Sequence, residues 1–216
     1  WARSLPVRPP SDPWPIVGVN RVRVNRIGDQ RMTAAEAYLR PAADRANLTV
    51  RTATSVDGLL VSGRDVTGIR IGTESVRCDE VILCAGTLGT AAILLSSGMD
   101  ATVPEAEFAC REHREILVGY QAVTVPAPGA LLQTVVHSAD GFEIRCYRDD
   151  FASYVPGMAP TSQMIGVAAM QPGSSGTLRM RDGRLQVALA PLTSDVAERM
   201  SGHVDAVVEM LTSPDF

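Results

Sequence analysis

The chain has 216 residues, 45% of them hydrophobic and 20% charged, with a net charge of -4 and a mean hydropathy close to zero. That is enough material for one large or two small soluble domains with real cores. No basic cluster accompanies the acidic balance, and only four Phe and four Tyr are available, so neither a phosphate footprint nor a base-stacking platform exists and nucleic acid is excluded as a partner. The longest apolar stretch, within Gly89 to Gly98, falls far short of the roughly 20 residues that cross a bilayer, which excludes a helical membrane span.

Cys78, Cys84, Cys110 and Cys146 stand at no zinc or redox spacing, so no metal site is expected and a reduced, cytoplasmic setting is the default. All 20 basic side chains are Arg, a pattern of GC-rich bacterial coding that also removes Schiff-base and P-loop lysine chemistry. The opening Trp1-Ala2-Arg3 has neither an initiator Met nor an apolar signal core, and the chain reads as an internal fragment.

Five prolines between Pro6 and Pro15 block helix and ladder hydrogen bonding and mark an extended connector. Thr33 to Ala46 begins with an N-cap residue followed by Glu36, a capping-box pattern, and predicts a helix bent at Pro41. Strands are predicted at Leu48 to Ala53, Ser55 to Ser62 and Val66 to Ile71, the last two joined by the Gly63-Arg64-Asp65 turn. Glu80 to Gly86 is uniformly apolar after its first residue and predicts a strand buried on both faces. A helix from Thr87 to Ser97 follows, ended by Gly98.

Beyond Asp100 the apolar runs shorten to strand length: Ile116 to Val125, Leu131 to His137, Phe142 to Tyr147, Gln163 to Met170, Thr177 to Arg181 and Leu185 to Leu189. They predict an antiparallel sheet, with Asp182-Gly183 as a hairpin turn. Val196, Met200, Val204, Val207 and Leu211 recur at helical spacing, so Thr193 to Leu211 should be an amphipathic helix packed on that sheet. The fold class expected is therefore α/β plus antiparallel β (α+β).

The unit most suited to chemistry is the strand, the Ala85-Gly86-Thr87 turn and the helix after it. A glycine at a strand end admits a ligand close to the backbone, and a helix N-terminus offers free N–H donors to an anion. The same arrangement also serves close packing in any α/β fold. Adjacent carboxylates at Asp149-Asp150 have no Cys or His partner, and a role as solvated loop residues is expected. His137 on a strand and His203 on a helix read as satisfied structural histidines, and His113 as an architectural residue.

Taken in order, Arg31 to Leu39, Arg45-Ala-Asn-Leu48, Val56, Val66-Thr-Gly68 and Glu80 to Gly86 form a block that resembles the glucose-methanol-choline (GMC) flavoprotein oxidoreductases. Gly86 to Met99 is similar to that family's second signature, although Thr90-Ala91 stands where a Ser/Thr-Pro pair is usual and Asp100 replaces the final glycine. The resemblance implies FAD as cofactor, with the backbone of Val56 at its adenine and Ala85, Gly86 and Thr87 beside its ribose or diphosphate. It also implies a small-molecule alcohol as substrate. Residues 1–100 would be the middle of an FAD-binding domain and residues 101–216 part of a substrate-binding domain.

Neither the family's Gly-x-Gly-x-x-Gly fingerprint nor the flanks of its catalytic histidine occur in this chain. No catalytic residue is therefore assigned, and the parent enzyme would depend on the rest of the same polypeptide. Two other readings are a stand-alone, non-catalytic ligand- or partner-binding domain, and a different two-domain flavoprotein.

Overall fold

The computed structural model describes residues 7–8, 17–98, 107–123, 129–159, 162–171 and 173–214. Most of the proline-rich connector lies outside the described residues. The chain forms two compact units: Trp1–Ala43, His113–Gly173 and Leu192–Phe216 make the first, and Asp44–Glu112 and Ser174–Pro191 the second. Each draws on both sides of residue 100.

The first unit is built on a six-stranded sheet. Its strands are β1 (Val7–Arg8), β2 (Gly18–Arg21), β9 (Arg114–Tyr120), β10 (Leu132–His137), β11 (Phe142–Tyr147) and β12 (Gln163–Ala169), in the order β1-β2-β10-β11-β12-β9. Among the described residues of this sheet only β1 and β2 pair in parallel; the other pairs are antiparallel, as the strand-length runs predict. Helix α2 (Ser194–Thr212) lies on one face, and Thr193 enters it in extended conformation as the N-cap. Val196, Met200 and Val207 bury themselves against Val136, Phe142, Ile144, Ile165 and Val167. Val167 and Val207 are fully buried and Met200 is 1% exposed, and each such side chain stabilises the unit by about 1.5–3 kcal/mol. Among the described residues this one helix covers the sheet, as its amphipathic spacing predicts.

Before that sheet's longer strands come a two-residue hairpin, β3 (Arg26–Ile27) with β4 (Gln30–Arg31), and a short helical segment. The expected bent helix is reduced to a π-type turn over Ala35–Leu39 and a 3-10 turn over Arg40–Ala42. The cap itself forms, since Glu36 N donates to Thr33 Oγ1 at 3.2 Å. Pro41 removes the N–H that would continue an α-helical ladder.

The second unit holds two three-stranded sheets and helix α1 (Gly86–Ser96). Strands β5 (Gly58–Ser62), β6 (Asp65–Ile71) and β7 (Glu74–Arg77) form a meander whose first turn carries Gly63 at φ 61°. Strands β8 (Glu107–Cys110), β13 (Gly176–Arg181) and β14 (Arg184–Ala188) form the other, in the order β14-β13-β8. Asp182 at φ 51° and Gly183 at φ 72° make the turn between β13 and β14 that the Asp-Gly pair predicts. Ala91 of α1 packs on Leu178 and Cys110.

Two predicted strands are corrected. Leu48 to Ala53 has no ladder and ends with Ala53 at φ 51°, a left-handed conformation that interrupts an extended run; Arg51 ties the segment to β7 instead through a bidentate pair with Glu74 at 2.8 and 3.1 Å. Val81 to Ala85 likewise finds no ladder partner among the described residues, and Ile82 is 77% exposed. A strand needs neighbours to be buried, and apolar composition alone does not supply them.

Candidate functional site

In the second unit a cleft of about 520 Å³ opens between the segment entering β5 and the start of α1. Val56, Asp57, Ala85, Gly89 and Ile93 line it, with Met180 and Leu185 from the β13–β14 hairpin. Two residues singled out from sequence, Val56 and Ala85, are thus brought to one cavity from positions 29 residues apart (85 minus 56). The other two, Gly86 and Thr87, continue from Ala85 into the exposed first turn of α1 and do not line the cleft.

Local geometry shapes both walls. Asp57 is stapled to the meander, its N–H donating to Arg70 O at 2.9 Å and its carboxylate accepting from Gly72 N at 2.5 Å. Gly86 has φ 70°, which favours glycine, and a side chain built there would meet nothing within 4 Å. Ala85 offers α1 no side-chain cap, so it leaves the first N–H groups of the helix without a capping side chain. A cleft that sets Val56, Ala85 and Ile93 beside the polar Thr54, Ser55, Asp57 and Ser96, next to an uncapped helix start, is compatible with a nucleotide end such as that of FAD.

The first unit carries a polar array that the sequence reading did not pick out. On the sheet face opposite α2, Glu115 accepts from Tyr147 OH at 2.8 Å and from Arg145 Nη1 at 2.9 Å, and Arg145 Nε donates to Glu143 at 2.8 Å. Glu143 also lies 3.2 Å from His137 Nε2. Asn20 Nδ2 donates to Gly18 O and lies 2.9 Å from His137 Nδ1, which makes that nitrogen the acceptor and leaves Nε2 as the donor toward Glu143. Burial, followed by the Glu115 carboxylate, pushes the Tyr147 phenol up to about 12. The alternation of Glu143, Arg145 and Tyr147 along β11 was the available signal, since residues two apart share a face.

The remaining histidines have structural settings. His203 Nε2 sits 3.0 Å from Asp140 and its ring lies 4.7 Å from that of Phe142. His113 is exposed between β8 and β9. Among the described residues no group of three or more His, Cys, Asp and Glu converges as a metal site, and no helix is long and apolar enough to cross a membrane.

Residues 17–115 match the family model described as GMC oxidoreductase. A Rhodococcus erythropolis protein named uncharacterized GMC-type oxidoreductase in thcA 5′ region is 30% identical over 186 residues, covering 77% of this chain and 38% of that protein. An oxygen-dependent choline dehydrogenase of Escherichia coli strain UMN026 is 34% identical over 86 residues, covering 37% of this chain and 16% of that protein. This chain therefore spans well under half the length of these relatives. The match from β2 to the start of β9 contains Val56, Ala85 and the turn at Gly86, and with these relatives it places the chain in the GMC oxidoreductase family, whose N-terminal domain binds FAD.

Proposed function

We propose that this chain is a central part of a flavoprotein that oxidises an alcohol, and that its second unit holds the adenosine end of FAD. The observation that carries the reading is the cleft that joins Val56 to Ala85 inside the family-matched segment. Val56 would face the adenine, while Ala85, Gly86 and Thr87 would present the α1 N-terminus to the ribose or diphosphate. When bound, FAD supplies the hydride acceptor for the substrate carbon. The second unit, which contains most of the expected flavin segment, serves the cofactor, and the first unit, which contains most of residues 101–216, serves the substrate. Its internally paired Glu115–Arg145–Glu143 array gives that side a preorganised polar surface.

No residue of this chain is given a catalytic role; the base that takes the hydroxyl proton lies elsewhere in the parent polypeptide. The same polypeptide would supply the strands that Val81 to Ala85 lacks among the described residues. The stand-alone binding module is not favoured, since both relatives are oxidoreductases by name. The full-length protein should purify yellow, and its flavin absorbance should bleach when an alcohol is added without oxygen. A colourless full-length protein that takes up no FAD would refute the proposal.

A further inference from the structure

The cleft's two walls belong to different elements, and a single side chain outside the cleft ties them together. Among the described residues strand β5 is an edge strand, paired with β6 on one side only, so the Leu59 N–H on its open side has no ladder acceptor there. Leu59 is 7% exposed, and an unmet amide in that position is costly. Ser97, the C-cap of α1, meets it: the Leu59 N–H donates to Ser97 Oγ at 2.7 Å. The same hydroxyl donates to Ile93 O one turn back, which aims its lone pair at the strand. Gly58 leaves the room, since a Cβ there would stand 3.3 Å from Ser97 Oγ and 3.1 Å from Arg70 Nη2.

We propose that Ser97 is a positioning residue for the nucleotide end of the cofactor, fixing the spacing between the Val56 wall and the Ala85 wall without touching the ligand. Ser97 does not line the cleft, whereas Val56, three residues before Leu59, and Ile93 both do. The proposal rests on the flavin reading above. Loss of the hydroxyl frees β5 to move against α1, so the adenosine slot is no longer held at its width before the ligand arrives.

The test uses the full-length apoprotein titrated with FAD and, separately, with ADP, alongside amide hydrogen exchange. Ser97→Ala should weaken both ligands by the same factor, about tenfold for one buried hydrogen bond left unmet, and should speed exchange at Leu59 while the β6 amides stay protected. Ser97→Thr, which keeps the hydroxyl, should restore both affinities and the protection. Ser97→Ala binding FAD as tightly as wild type, or losing FAD while ADP is unaffected, would overturn the clamp and leave the flavin reading intact. Wild-type protein that binds neither ligand would overturn both, and that result is visible before any variant is made.

Discussion

Gly166 lies in the middle of β12 with no left-handed backbone requirement, so alanine should suit it better than glycine by about 0.4–1 kcal/mol. The structure reverses that expectation. A Cβ at 166 would fall 1.8 Å from Glu115 Oε1 and 2.8 Å from Glu115 Cδ, so the carboxylate would have to leave the place where it binds Tyr147 OH and Arg145 Nη1. Side chains of Glu115 and Arg145 are each only 19% exposed, and a charge-assisted hydrogen bond in such a setting is worth about 1.5–3 kcal/mol. Gly166→Ala should therefore destabilise the first unit by about 2 kcal/mol. In a Glu115→Ala background the obstacle is gone, leaving Tyr147 Cε2 as the nearest of the contacts at 3.1 Å, and the same change should be neutral or stabilising. Urea denaturation of wild type, both single variants and the double variant, followed by circular dichroism, gives the coupling, expected at about 2–3 kcal/mol. Additive effects would refute the idea that Gly166 exists to seat Glu115.

Three further outcomes are expected. Because the folded Tyr147 phenol is raised from 10.0 to about 12, its contribution to stability is complete below pH 10 and is lost as pH rises through about 12; burial also raises Tyr120, so ultraviolet titration should show late-ionising tyrosines, of which Tyr147 moves earlier in Glu115→Ala. Met200→Ala, at a side chain 1% exposed beneath the sheet, should cost about 2–4 kcal/mol by the cavity it leaves, read as a lowered denaturation midpoint. Gly183→Val, at φ 72° in the β13–β14 turn, should cost about 1–2 kcal/mol, whereas Asp182→Asn at φ 51° should change the midpoint little.

The strands from Arg114 to Ala188 and helix α2 were legible because their signals are local: strand-length apolar runs bounded by turns, and in α2 a helical spacing of the residues that bury. Hairpin turns at Gly63 and Asp182-Gly183 were legible for a similar reason, since a left-handed backbone leaves its mark on residue type. Val81 to Ala85 misled because an apolar run records the need for neighbours and not their presence. Family resemblance named Val56, Ala85, Gly86 and Thr87, but only the tertiary fold decided that Val56 and Ala85 share a cleft while Gly86 and Thr87 do not line it. The pairing of Glu115 with Arg145 and Tyr147 joins strands 30 and 32 residues apart, and the tie from Ser97 to Leu59 spans 38. Contacts of that range leave no periodic trace in the chain; they are fixed by sheet register and by where a glycine leaves room.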